Sequence, residues 1–408
     1  MAETSNRTFS CAAMTRSSFR RPGRVALLLP LVVGAWSPSR AAEWSFQPAM
    51  QLSMDHQTNR SLTEGGEAGA GLVATIDAQF EYRTERVGVT ATAGTTLQRY
   101  SGQSYTDSND RALALVAGWQ TETGTLDLSL VDRTQNTLLA DLAETSFLDA
   151  GASRRDRSVT VDWASQLSAR TQFAARVSLT DVGYGGRTRT LLPGYRYPAA
   201  TARLARQAGA RLRWFADASL SELRLPGAPF TTRDTGASGG IDYALGERID
   251  LSLGAGYSRT DDGRQSDADW TGRARLAGTW PRASWAVELS RSVQPSGLGA
   301  LVRRTDASAS YAIDLSPRLR LVTAGRQVRN DAVLGARSGE RRRVVDLEAR
   351  AEWRMTADWR IALEIGHART GGGADVPAAV PAPADAEQHG WRSGVTVDWS
   401  PQRRSISR

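Results

Sequence analysis

The chain has 408 residues, 40% of them hydrophobic, with 51 basic against 43 acidic side chains and a formal net charge of +8. All the basic side chains are arginine, and they are scattered through the chain, which argues against a nucleic-acid surface. The only cysteine, Cys11, excludes a disulfide framework and cysteine metal sites, and no apolar run is long enough to cross a bilayer as a helix.

Near the start, Arg16, Arg20, Arg21 and Arg24 precede an apolar run, Val25 to Ala35, and then Ser39-Arg40-Ala41. Charge, a short apolar core and small residues in that order read as a secretory signal with cleavage after Ala41. Met14 offers an alternative start. Residues 1–41 are thus expected to be a leader and 42–408 the mature chain, which loses Cys11 with the leader.

Trp44 to Met54 is the first expected strand, followed by a polar loop, Asp55 to Glu67. From Leu72 to Tyr100 the alternation is strict. Leu72, Ala74, Ile76, Ala78, Phe80 and Tyr82 share one face and Thr75, Asp77, Gln79 and Glu81 the other; after Thr84-Glu85 the pattern resumes with Val87, Val89, Ala91 and Ala93. Successive strand side chains point to opposite faces, so each segment has one apolar and one polar surface. The same unit recurs over Ala112–Trp119, Thr125–Arg133, Ser158–Leu167, Gln172–Tyr184 and Ala202–Trp214. Ala218–Leu225 follows with mixed phase, because Leu220 and Leu223 share a face only across a bulge. Then come Thr235–Leu245, Ile249–Ser258, Trp270–Trp280, Trp285–Val293, Thr305–Ile313, Leu319–Val328, Val345–Trp353, Trp359–His367 and Trp391–Trp399.

An even count of about eighteen strands of roughly ten residues predicts an all-β, transmembrane, antiparallel up-and-down barrel in the outer membrane of a Gram-negative cell. Turns of roughly two to five residues alternate with connections of roughly nine to twenty-four, as periplasmic turns alternate with outer loops. The aromatic residues support this. Tyr82, Trp119, Trp163, Trp214, Tyr243, Trp280, Trp285, Trp353, Trp359 and Trp399 fall at the short-turn end; Tyr100, Tyr184, Tyr257, Trp270 and Trp391 fall at the other, giving two girdles. Arg291 breaks the rule, since it falls on the lipid-facing phase, where a midplane arginine costs roughly 2 to 4 kcal/mol. It is expected to snorkel or to sit beside a bulge.

A barrel of this size can hold an aqueous lumen. On its inner phase Arg176, Arg203, Arg211, Arg213, Arg273 and Arg275 are lumen candidates, and Arg203, Arg211 and Arg213, with Arg176 next door, are placed to form a positive wall that attracts anions, although opposed lumen charges ordinarily pair. The third outer connection, Thr134 to Asp156, carries Leu138, Leu139, Leu142, Phe147 and Leu148, apolar enough either to fold inward as a constriction or to form a rim helix. Ala374 to Ala386, rich in alanine and proline, reads as a mobile outer loop. His56, His367 and His389 lie near the outer rim without a nucleophile motif, so no catalytic residue, metal or cofactor is expected.

In the last strand Arg392, Gly394, Val397 and Trp399 resemble the carboxy-terminal signal read by the barrel-assembly machinery, although Ser400 to Arg408 continues as a tail. The opening PAMQLSMDHQTNRSL, followed by GLVATIDAQFEY and later YALGERIDLSLGAGYSRTDD, resembles the outer-membrane barrels of exopolysaccharide export and PEP-CTERM-associated systems. That resemblance implies a passive conduit for a secreted polysaccharide, embedded in outer-membrane lipid and working with periplasmic export components. The alternatives are a nutrient porin with mild anion preference and a structural or adhesive barrel with a plugged lumen.

Overall fold

Alternation of this strictness has one closed solution, a sheet whose two faces meet different solvents and whose last strand returns to its first. The computed structural model describes residues 42–408 except 60–61, 63–65, 67, 102–106, 137–151, 187–192, 229–230, 297–298, 335–341, 372–387, 402–403 and 408. The expected leader and its cleavage site lie outside the described residues, as do the whole expected outer loop Ala374 to Ala386 and the constriction candidates Leu138, Leu139, Leu142, Phe147 and Leu148.

The strands are β1 (Glu43–Gln57), β2 (Gly69–Arg83), β3 (Val87–Tyr100), β4 (Ser108–Gln120), β5 (Gly124–Asn136), β6 (Ala152–Ser168), β7 (Thr171–Gly186), β8 (Tyr195–Gln207), β9 (Leu212–Leu223), β10 (Thr232–Ala244), β11 (Ile249–Asp261), β12 (Ser266–Trp280), β13 (Ala283–Pro295), β14 (Leu301–Asp314), β15 (Leu319–Ala332), β16 (Arg342–Arg354), β17 (Trp359–Gly371), β18 (Gln388–Trp399) and β19 (Arg404–Ser407). Each of the first eighteen pairs antiparallel with its sequence neighbours, and β1 pairs β18 from Met50↔Trp399 to Gln57↔Arg392, which closes an eighteen-stranded barrel. Closure pairs the backbone polar groups of the first and last strands and removes the open edges, a condition for a sheet surrounded by lipid.

The tail does not leave the sheet. β19 continues β18 along the foot of β1, from Glu43↔Ser407 to Phe46↔Arg404, and Gln47 Nε2 donates to Ser400 Oγ at 3.0 Å. Gly394, Val397 and Trp399, the residues expected to form an assembly signal, lie in the closing strand, with Val397 opposite Leu52 and Trp399 opposite Met50.

The outward face is apolar and open. Met54, Leu113, Val177 and Leu363 each leave more than half of their surface exposed, at 66, 58, 59 and 56%. Water would penalise such a surface, whereas hydrocarbon does not. At the short-turn end the aromatic rings cluster, with Trp44 on Tyr82 at 4.4 Å, Trp163 on Phe173 at 5.6 Å and Trp280 on Trp285 at 6.3 Å. The second girdle is only partly formed. Tyr257, Trp270 and Trp391 are exposed outward, but Tyr100 turns inward and donates its hydroxyl to Asp55, and Tyr184 is buried. Both stand on the inner phase of their strands, as the pairs Gly71↔Tyr100 and Arg154↔Tyr184 place them.

Four of the short turns are tied by a hydroxyl at their first position, three of them as acceptor and one as donor. A hydroxyl at the first turn position accepts the amide of the residue three further on: Thr84 from Val87 at 3.0 Å, Ser316 from Leu319 at 3.1 Å and Thr356 from Trp359 at 3.1 Å, while Thr121 Oγ1 donates to the Gly124 carbonyl at 3.0 Å. Such side chains pre-form the turn and hold the hairpin register.

Three expectations need correction. The strand read as Ala202–Trp214 is two strands, β8 and β9, parted by a turn at 208–211 that the Ala208 and Gly209 amides close on the Leu212 carbonyl. No bulge reconciles Leu220 with Leu223, because the β9–β10 ladder is unbroken from Leu212 to Leu223 and the two residues face opposite sides. The connections at the long-loop end are also shorter than expected, reaching only 262–265 between β11 and β12 and 296–300 between β13 and β14.

Candidate functional site

The departure from a plain cylinder starts at Gly272↔Arg291, the last pair between β12 and β13. Beyond it β12 stays with β11 as far as Asp261↔Ser266, and β13 stays with β14 as far as Pro295↔Leu301. The wall forks there. Parity shows where the β13–β14 tip goes. Val293, Leu301 and Arg303 occupy outward positions in their ladders, yet Leu301 is 3% exposed and packs with Val182, Tyr184, Tyr195 and Leu223, which occupy inward positions of β7, β8 and β9. An outward face that meets the inward face of strands five to seven places away has stepped inside the ring, so the tip lies across the lumen mouth.

Polar groups brace the fork. Arg291 reaches Asp269 at 2.6 Å, and Arg303 reaches Asp267 at 2.9 Å and Asp269 at 3.1 Å. Arg291 also lies over the Trp270 ring at 4.6 Å. Its place on the lipid phase is therefore answered by an ion pair at the end of a ladder, close to the expected irregularity. Gly299, at φ +72°, makes the contact possible: a Cβ there would stand 2.6 Å from Leu225 Cδ2 and 2.9 Å from Pro193 Cγ. Thr260 donates to Asp234 at 2.7 Å on the neighbouring inner wall, where both residues are buried.

Below the mouth the lumen carries the charges that the sequence placed there. Arg176 pairs with Asp162 on β6. Arg203 lies 3.6 Å from both Asp217 and Asp242, and Arg213 donates to Gln172 Oε1 at 2.7 Å. Arg203 and Arg273 stack on the same ring, Phe215, at 3.9 and 4.8 Å from its centroid. Phe215 is only 3% exposed, because it lies in space left by Gly240 and Gly254, whose added Cβ atoms would stand 2.4 and 3.1 Å from its Cζ. Arg275 is exposed and opposite Glu288 in register. Arg211 lies in the turn 208–211, outside the strands, so it is not part of this wall. On the far side Arg350 gathers Glu364 at 2.9 Å, Glu352 at 3.1 Å and Asp398 at 3.6 Å, and Arg392 pairs with Glu348 at 2.9 Å.

Sequence reasoning missed Phe215, Tyr184, Tyr195 and the β13–β14 tip. The inward glycines Gly240 and Gly254 were the available signal for a ring lying against the wall. His367 and His389 have rings 6.2 Å apart and occupy outward positions, away from the lumen. No group of acidic, histidine or cysteine side chains suited to a metal occurs among the described residues.

The fold and its lumen define a closed antiparallel barrel with an apolar outside, a charged inside and a mouth narrowed by one of its own hairpins. No family model and no curated protein matches the chain. Among solved structures it is similar to OccAB4 of Acinetobacter baumannii, at 9% identity over 90% of this chain and 98% of that one, with a TM-score of 0.48. It is also similar to OccK5 (OpdH) of Pseudomonas aeruginosa, at 10% identity over 88 and 98% with a TM-score of 0.47, and to the outer membrane protein OprD of the same organism, at 12% over 89 and 94% with a TM-score of 0.44. Likeness of this size assigns no function.

Proposed function

We propose that the protein is an outer-membrane channel for small solutes, with a mild preference for anions, and not a wide conduit. The observation that carries this reading is the inward β13–β14 tip, whose Leu301 reaches the inner faces of β7–β9 and narrows the mouth. The apolar outer face supports insertion in lipid, and the charged inner face supports a wet lumen. Arg203, Arg213, Arg273 and Arg275 on one side of that lumen support anion attraction, which Asp217 and Asp242 temper. Planar-bilayer recording tests the reading. It predicts small, steady conductance with a reversal potential shifted toward the anion; absence of conductance would favour a plugged structural barrel, and cation preference would refute the role of the arginine wall.

The likeness of the opening strands to exopolysaccharide-export barrels supports the rival reading, a polysaccharide conduit. Loss of surface polysaccharide on gene deletion, with unchanged uptake of small solutes, would establish that rival and overturn the small-solute channel.

A further inference from the structure

We propose that the fork between β12 and β13 is a closed lateral portal, through which a single-chain alkyl amphiphile passes between the lumen mouth and the surrounding leaflet. This rests on the membrane reading above and adds a sideways path to the axial one.

At the fork the wall is lapped. β12 continues to Ser266 and β13 to Pro295, yet among the described residues no pair joins them beyond Gly272↔Arg291. Register shows that the two edges overlap. Arg291 and Arg303 occupy outward positions and Asp267 and Asp269 inward ones, and side chains on opposite faces of an intact ladder do not meet. Here Arg291 reaches Asp269 at 2.6 Å and Arg303 reaches Asp267 at 2.9 Å, so these side chains cross the line of the wall. Side-chain ion pairs hold this stretch shut in place of backbone hydrogen bonds. The β12 and β13 edges can therefore part while β12 keeps its ladder to β11 and β13 its ladder to β14.

On the lipid side a furrow of about 490 Å³ leads to the same point. Its floor is a row of small residues running across the strands, Gly239, Ala255 and Gly272, which register sets side by side and in line with Arg291. The flanking rows are bulkier, with Ile241 and Leu253 on the short-turn side and Trp270 on the outer side. A trough one side-chain row wide and apolar along its length is complementary to one hydrocarbon chain. Its end is polar. Arg291 Nε and Arg303 Nε are buried there without an acceptor among the described residues, a cost that an oxygen-bearing head in the slit would remove. On the lumen side the lap meets apolar surface again, where Val293 and Leu301 pack with Leu223. An apolar furrow, a polar slit and an apolar inner face follow one another along a single line, and an amphiphile matches that sequence.

The test places single cysteines in the full barrel, reconstituted in phosphatidylcholine liposomes, and offers them either N-dodecylmaleimide, which partitions into the bilayer, or a water-soluble maleimide. Val293→Cys, inside the lap, is expected to react with the dodecyl reagent, whereas Ser252→Cys in the lumen is not. Arg303→Gln unfastens the lap and should speed the reaction at Val293→Cys about fivefold, the factor to which one ion pair corresponds. Ala255→Phe fills the furrow and should slow it by a like factor, while the water-soluble reaction at Ser252→Cys stays unchanged. Val177→Cys, at an outward position that is 59% exposed, reports the wall itself and should react with the dodecyl reagent at one rate in every background. No reaction at Val293→Cys even with Arg303→Gln, or a rate indifferent to Ala255→Phe, would overturn the portal. If Val177→Cys reacts with the water-soluble reagent, the membrane reading falls and the portal with it; if Val177→Cys is protected from that reagent, either failure at Val293→Cys refutes the portal alone.

Discussion

Replacing Gly299 by valine should open the lumen mouth without unfolding the barrel. Gly299 has φ +72°, and the added Cβ would stand 2.6 Å from Leu225 Cδ2 and 2.9 Å from Pro193 Cγ. The left-handed backbone costs a branched residue about 1 to 2 kcal/mol, and overpacking adds about 1 to 3. Against this, burying Leu301 holds the tip by about 1.5 to 3 kcal/mol. The penalty of roughly 2 to 5 kcal/mol therefore matches or exceeds the latch, so the tip is released. The β13–β14 ladder up to Pro295↔Leu301 makes no use of the Gly299 side-chain position, and the wall below Gly272↔Arg291 stays closed. Single-channel recording should show higher conductance for Gly299→Val. A double variant, Leu223→Cys with Leu301→Cys, bridged by a bifunctional thiol reagent, should return the channel to its low-conductance state, and the barrel has no cysteine of its own to interfere. Unchanged conductance in Gly299→Val, with the bridge still forming at its original rate, would refute the latch.

Three further outcomes follow from the same geometry. Arg203→Glu with Arg273→Glu removes both cations over Phe215 and adds carboxylates beside Asp217 and Asp242, so reversal potentials should turn toward cations; persistent anion preference would place the filter elsewhere. Arg350→Gln leaves Glu352, Glu364 and Asp398 facing one another without their shared cation, which should lower stability by about 1 to 3 kcal/mol in urea unfolding, between the values for buried and exposed pairs. Truncation after Trp399 removes β19 and its four pairs with β1 but ends the chain on an aromatic residue, so assembly should proceed at an undiminished rate while hydrogen exchange rises at Glu43–Phe46; failure to assemble would assign the tail a necessary part in closing the seam.

The wall was legible because lipid outside and water inside impose a period of two on every strand, and Leu72–Tyr82 or Ile249–Tyr257 could satisfy those two solvents in no other phase. The limits have the same origin. Alternation reports that a side chain meets an apolar neighbour, not whether that neighbour is hydrocarbon or another part of the protein. Val293 thus falls on the lipid-facing phase of its strand when it faces the inner wall, and Leu301, which the sequence leaves in a connection, extends β14 to join it there. Tyr184 read as a girdle ring for a related reason, since its position near a strand end was clear but its burial under the tip depends on a contact across the lumen. At 208–211 Ala208 and Ala210 alternate with Arg211 through a turn, so β8 and β9 merged; only the backbone hydrogen bonds of Ala208 and Gly209 to Leu212 part them. Arg291 was the one residue whose conflict with its phase pointed at the fork.

Thiol labelling along β11 tests the central claim most directly. With the chain reconstituted in bilayers, Ser252→Cys should react with a water-soluble maleimide while Leu251→Cys and Leu253→Cys stay protected, since Ser252 lies beside Asp242 on the lumen face and the two leucines face lipid. Equal labelling of all three, or protection of Ser252→Cys alone, would contradict a wall with water on one side and hydrocarbon on the other.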